Sequence, residues 1–131
     1  MCGLTGFIWN SDSKISHVAR SLDLMTDAIN HRGPDSEGSW INEKDCISFG
    51  HKRLSVLDLT SAGSQPMFSN SKRYIIVFNG EIYNHNELRK ELETRGVEFR
   101  SHSDTEVLLR GFQVWGYETP MKLRGMFSFA L

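Results

Sequence analysis

Tyr74-Ile75-Ile76-Val77-Phe78 runs without a polar interruption into Asn79-Gly80-Glu81-Ile82-Tyr83-Asn84. The first five residues are continuous, β-branched or aromatic, which predicts a strand covered on both faces. It is the clearest strand in the chain, and Asn79-Gly80 predicts an abrupt break after it.

Working toward the C-terminus, Asn86–Arg95 reads as a helix with Leu88 and Leu92 on one face and Gly96 as its stop. Ser103-Asp104-Thr105-Glu106 has capping-box spacing, and the helix it opens carries Val107, Leu108 and Phe112 as far as Gly116. Met126–Leu131 reads as a buried strand, and a chain that stops inside one is expected to be part of a longer protein.

Toward the N-terminus, Leu54–Leu59 is an apolar stretch closed by a polar loop around residues 61–65. Short strands are predicted near 39–41 and 46–49, and at Phe7-Ile8-Trp9. Ser16 is placed to cap a helix running to about Asn30, with Val18, Leu22, Met25 and Ile29 as its buried stripe. Gly33-Pro34 ends that helix, with Arg32 and Asp35 placed to pair across the turn. Early strands, intervening helices and a final strand together predict a layered α+β domain, with strand order left open.

The chain has 131 residues, enough for one domain, with 39% hydrophobic and 24% charged residues. A net charge of -1 offers no basic surface for nucleic acid, and no apolar run is long enough to cross a bilayer. The N-terminus lacks the basic leader and apolar core of a signal peptide, so a reducing cytoplasm is the expected compartment. Cys2 and Cys46 then need not pair, and they make no metal-binding spacing with the histidines.

Several residues have the chemistry of a catalytic site. Cys2, once Met1 is removed, carries a thiol and a free α-amino group whose ordinary pKa of about 7.7–8.0 suits a general base. An ordinary buried cysteine fits the same position. Asn79 and Gly80 present adjacent donors suited to an oxyanion, or form a hairpin turn. Glu81 suits a cationic substrate group, or is a solvated charge. Arg53, leading into an apolar stretch, suits bidentate binding of a carboxylate, or a structural ion pair. Asp104 suits an ammonium, or supports only its helix start. Together these groups would suit an α-amino acid with a side-chain amide, which describes glutamine.

Seven motifs stand in order: Met1-Cys2-Gly3, Arg32-Gly33-Pro34-Asp35, Gly50-His51-Lys52-Arg53-Leu54-Ser55, Gln65-Pro66-Met67, Phe78-Asn79-Gly80-Glu81-Ile82-Tyr83-Asn84, Ser103-Asp104-Thr105-Glu106 and Leu123-Arg124-Gly125-Met126-Phe127. Through them the chain resembles class II glutamine amidotransferases, the N-terminal-nucleophile type, and within these the asparagine synthetase branch. Each motif alone is weak; the ordered series covers nearly the whole chain.

The resemblance implies a four-layer αββα sandwich of the N-terminal-nucleophile hydrolase type, occupying residues 1–131 and truncated at its C-terminal end. It implies Cys2 as nucleophile and Asn79 with Gly80 as oxyanion hole. It implies Arg53 as the residue binding the glutamine α-carboxylate, with Leu54, Ser55, Val56 and Leu57 lining the pocket. Glu81 and Asp104 would hold the α-amino group. No cofactor or metal is expected for glutamine hydrolysis, whereas ATP and Mg²⁺ are expected for a downstream synthetase domain. The expected partners are glutamine and that domain, with no nucleic acid or membrane, and with homo-oligomerisation through an uncapped sheet edge. Aspartate, giving asparagine, is the first expectation for the ammonia acceptor. The alternatives are a carboxylate on a sugar or small metabolite, or an inactive glutamine-binding module.

Overall fold

Three strands paired antiparallel build the first sheet. In the structure, a computed structural model that describes residues 2–55 and 60–131, β1 (Gly3–Ile8) and β2 (Ser36–Asn42) flank β3 (Ile47–Arg53) in the order β1-β3-β2. Gly3 lies opposite Lys52 and Ile8 opposite Ile47, while Ser36 lies opposite Arg53. All three strands are longer than their apolar patterns predict, because the pairing carries Gly3, Gly38, Gly50 and Lys52 into the ladder. Cys46, at φ +52°, turns the chain between β2 and β3, and its carbonyl accepts from Trp9 N–H at 3.0 Å.

Helix α1 (Ile15–Ala28) lies against β1 and β3. Its buried line is Val18, Leu22 and Thr26, with Ile29 half-buried just beyond its end, and Met25 is exposed. Thr26 replaces the predicted Met25 because its hydroxyl donates back to Leu22 C=O at 2.8 Å and faces Gly50, where a side chain would collide with it. Ser16 is not the cap either: Lys14 holds the N-cap position without a side-chain hydrogen bond, and Ser16 sits inside the first turn.

The second sheet has the order β4-β5-β6, from β4 (Met67–Phe68), β5 (Ile75–Ile82) and β6 (Gly125–Ala130). β5 does not break at Asn79-Gly80 but continues to Ile82, with Asn79 opposite Ser128 and Gly80 opposite Phe127. The Asn-Gly pair therefore forms no hairpin. Pairing with β6 overrides the local turn preference, and Gly80 accommodates it at φ +153°, where a Cβ would come 2.6 Å from Phe127 Cα.

Helices α2 (His85–Thr94), α3 (Asp104–Trp115) and the short α4 (Thr119–Lys122) complete the fold. Gly96, at φ +81°, lets Val97 N–H reach Leu92 C=O at 3.1 Å and closes α2 as expected. The main core joins β5 to α2 and α3 through Ile76, Phe78, Ile82, Leu88, Leu92, Val107, Leu108 and Leu109. Val77 is also fully buried, so β5 is covered on both faces, and both β1 and β3 lie against it.

The domain is thus α+β, with two antiparallel sheets and a few helices. Among the described residues no helix is long and apolar enough to cross a membrane.

Burial sets the first expectation. Leu108, fully buried in this core, should cost about 2–5 kcal/mol when changed to Ala. Met121, 89% exposed, should cost less than about 0.5 kcal/mol. Urea unfolding of the two variants reads both, and equal midpoints would contradict this core.

Candidate active site

Residues two apart on a strand share a face, and β3 uses this to divide its charged groups. Lys52 points to α1, where it lies 3.6 Å from Asp27 and also pairs with Glu37 of β2. His51 and Arg53 take the opposite face. His51 Nε2 donates to the Phe78 carbonyl at 3.0 Å, joining the two sheets. Arg53 is buried, and its Nη1 donates to Thr60 C=O at 2.8 Å.

The end of β3 is held by the Gly33-Pro34-Asp35 turn. Gly33 packs so closely that a Cβ there would come 2.5 Å from Lys52 O and the Arg53 carbonyl carbon. Asp35 N–H donates to Arg53 C=O at 3.0 Å, and the Asp35 carboxylate accepts Ser55 N–H at 2.7 Å. The predicted Arg32–Asp35 pair does not form, because Asp35 turns to this backbone donor. Beyond Arg53, Leu54 N–H donates to Cys2 Sγ at 3.3 Å, and Leu54 O lies 3.5 Å from the same sulfur. One strand end thus gathers Cys2, Arg53, Leu54 and Ser55.

The second group lies along β5. Tyr83 N–H bonds Arg124 C=O at 2.7 Å, so the odd-numbered residues of β5 carry the ladder to β6. Phe78, Gly80 and Ile82 therefore direct their N–H and C=O groups to the other edge, toward β4. Phe78 N–H donates to Gln65 Oε1 at 2.6 Å, and Ile82 N–H donates to Asp104 Oδ2 at 3.0 Å. Between them, no side chain among the described residues takes the Gly80 N–H. Asn79 Oδ1 is buried without a hydrogen-bond partner, a state that costs about 1–3 kcal/mol in an ordinary interior.

Burial shapes the charges here. It pushes the pKa of His51 down from 6.5 to about 4. The Phe78 carbonyl opposes that shift and the neighbouring Arg53 charge adds to it, so the ring is neutral. Burial also raises the Asp104 carboxyl above its ordinary value; the Ile82 N–H opposes this and the Glu81 charge reinforces it. Glu81 and Asp104 thus lie within electrostatic reach of one another. Asp104 opens α3, with Ser103 Oγ accepting Glu106 N–H at 3.2 Å. The reciprocal half of the capping box is absent. Glu106 accepts from Arg100 and Ser101 N–H instead and pairs with Arg110 at 3.1 Å.

The structure therefore gathers Cys2, Arg53, Leu54 and Ser55 at one strand end, and Asn79, Gly80, Glu81 and Asp104 along another strand. The His51–Phe78 bond ties the two groups together. Val56 and Leu57, also expected in the pocket, lie outside the described residues, as does Met1. Among the described residues no three His, Cys, Asp or Glu side chains are placed to hold a metal ion.

Sequence reasoning missed two contributors. Gln65 stands in the Gln65-Pro66-Met67 motif, but its local pattern assigns it no role. His51 is two residues from Arg53, and that spacing places both on one face. An apolar hollow of about 550 Å³, lined by Phe7, Ile8, Phe49 and Phe129, lies at the Ile8 end of β1, away from Cys2.

A family model described as a glutamine amidotransferase domain matches residues 1–131. Asparagine synthetase (glutamine-hydrolyzing) 3 of Bacillus subtilis (strain 168) is 41% identical across all of this chain and 21% of its own length. Asparagine synthetase (glutamine-hydrolyzing) 1 of the same organism is 42% identical, across all of this chain and 20% of its own length. Asparagine synthetase (glutamine-hydrolyzing) 1 of Arabidopsis thaliana is 39% identical, with 21% of its length covered. The chain spans about a fifth of the length of these curated relatives.

The buried neutral His51 makes stability depend on pH. Below pH 6.5 the unfolded chain takes up a proton that the folded one refuses until about pH 4. This contribution is complete above pH 6.5, is lost as pH falls toward 4, and amounts to about 3 kcal/mol. Subtracting the urea-unfolding profile of His51→Gln from that of the parent should show a difference growing from pH 4 to 6.5. A flat difference would mean that His51 is not held neutral.

Proposed function

The chain belongs to the glutamine amidotransferase domain family, and we propose that it hydrolyses glutamine to glutamate and ammonia with Cys2 as nucleophile. One observation carries this reading. The Cys2 sulfur is hydrogen-bonded to Leu54 at the end of β3, the strand that holds the Phe78–Asn79 edge through His51. A nucleophile and a row of backbone donors are thereby fixed to one rigid element.

In the proposed cycle Met1 is removed, and the α-amino group of Cys2 takes the thiol proton. The sulfur attacks the side-chain amide carbon of glutamine. The carbonyl oxygen becomes an oxyanion, held by the Asn79 side-chain amide and the Gly80 N–H. That N–H suits the task because β6 does not use it. The amine returns its proton to the amide nitrogen, ammonia leaves, and a glutamyl thioester remains. Water, deprotonated by the same amine, attacks the thioester and releases glutamate, restoring the thiol.

Arg53 binds the α-carboxylate, with Leu54 and Ser55 beside it in the pocket. Glu81 and Asp104, as carboxylates, hold the α-ammonium. The hydrolysis takes no cofactor in this scheme.

The layering is proposed in the same terms. α1 against the first sheet, β1 and β3 against β5, and α3 on the far side of β5 support a four-layer αββα arrangement of the N-terminal-nucleophile type. We assign the ammonia to a synthetase domain of the same full-length protein. That domain would use ATP and Mg²⁺ to activate a carboxylate, with aspartate giving asparagine as the first choice. The names of the similar proteins support that choice. Supplying aspartate to the full-length protein and measuring asparagine tests the acceptor, and no asparagine above background would redirect the assignment to another carboxylate.

Two variants test the chemistry. Cys2→Ala should abolish glutamate release while retaining glutamine binding. Residual hydrolysis at the parent rate would remove Cys2 from its role. Arg53→Lys keeps the charge but loses the two-pronged donor geometry, so glutamine affinity should fall about tenfold to a hundredfold. Calorimetry showing unchanged affinity would take Arg53 out of the pocket.

A further inference from the structure

β4 is only two residues long, so beyond Ile76 the edge of β5 that faces it has no strand partner among the described residues. Its backbone groups are taken by side chains instead. Gln65 Oε1 accepts Phe78 N–H at 2.6 Å, and His51 Nε2 donates to Phe78 C=O at 3.0 Å. Asp104 accepts Ile82 N–H at 3.0 Å, and His85 Nδ1 lies 2.8 Å from Ile82 C=O. Gly80 lies midway between these two clamped residues, with Asn79 beside it.

We infer that His51 and Gln65 are positioning residues for the oxyanion cradle, clamping the two peptide units of Phe78 so that Asn79 and Gly80 are held where negative charge develops. The inference rests on the cradle role proposed for Asn79 and Gly80.

The clamp is built to be rigid. His51 is fully buried and Gln65 is 8% exposed. Gln65 is itself fixed, because its Nε2 donates to Thr105 Oγ1 at 3.2 Å in the first turn of α3. That turn also supplies Asp104, so one helix start braces both clamped residues of β5. His51 stays a neutral donor at working pH, and its hydrogen sits on Nε2 because the Phe78 carbonyl can only accept.

A purely structural role fits poorly. His51 Nδ1 is buried without a partner, which makes histidine an expensive choice for filling space. A donor aimed at the carbonyl before Asn79 gives that expense a function. Preorganised donors stabilise an oxyanion because they need not move as charge appears, and small displacements of a reacting group are costly.

The test uses glutamate release, thiol alkylation and a double variant. His51→Met should lower kcat about tenfold to a hundredfold, with KM within about twofold. The rate of Cys2 alkylation by iodoacetamide should stay unchanged, because the nucleophile itself is untouched. His51→Gln places an amide nitrogen near the same point and should recover most of kcat. Combined with Asn79→Ala, His51→Met should cost much less than the product of the two single losses, because both act through one cradle.

The inference is overturned if His51→Met keeps its kcat, if alkylation slows in step with kcat, or if the losses multiply. Should His51→Met not fold, Gln65→Leu removes the other clamp and is read by the same outcomes. An Asn79→Ala variant with full kcat would instead overturn the cradle itself. Full kcat in His51→Met beside a crippled Asn79→Ala would remove only the positioning role.

Discussion

A strand buried on both faces has no side chains to spare for solvent, and β5 is such a strand. Ile76, Val77 and Ile82 are fully buried, and Phe78 nearly so. The backbone polar groups of its buried residues must also be satisfied inside the protein. On one edge β6 does this with a regular ladder. On the other, β4 stops after two residues, and side chains from four segments take the groups of Phe78 and Ile82 on either side of the Gly80 N–H. The fold and the candidate site meet along this second edge. Gln65, His51 and Asp104 satisfy the backbone of β5, and in doing so bring the loop before β4, the first sheet and the start of α3 to the flanks of Asn79 and Gly80.

β3 is the complementary element. Its three consecutive charged or titratable residues, His51, Lys52 and Arg53, are sorted by the pleat alone. Lys52 turns to the α1 side, buried there against Asp27 and Glu37, while His51 and Arg53 take the opposite face. The Gly33 turn then seats on the backbone of Lys52 and Arg53, leaving no space for a side chain. A motif that reads as a basic run is, in three dimensions, three buried residues divided between the two faces of one strand.

Much of this was legible from residues alone. The helices at α2 and α3, the Gly96 stop, the Ser103 cap and the strand at β5 follow from periodicity and capping chemistry, which act over a few residues. The failures share a cause. Asn79-Gly80 carries a strong local turn preference, yet pairing with Phe127 and Ser128, nearly fifty residues away in sequence, keeps it extended. Met25 fits the helical stripe better than Thr26 on hydrophobicity. The absence of a side chain at Gly50, across the sheet, decides for threonine. The identities of the candidate site residues were likewise readable, but their convergence depends on Gln65 and His51, whose partners are set by tertiary contact.

The two cysteines lie at opposite ends of the first sheet. Cys2 precedes Gly3, which pairs with Lys52, whereas Cys46 sits at the turn beside Trp9, past the Ile8–Ile47 pair. Six residues of extended strand separate those ends by about 20 Å, far beyond the span of a disulfide. Cys46 therefore cannot act as a resolving thiol for Cys2. A peroxide that converts the Cys2 sulfur to a sulfenic acid finds no trap in Cys46, so a thiol from elsewhere must reduce it. Without one, the next oxidation step is irreversible.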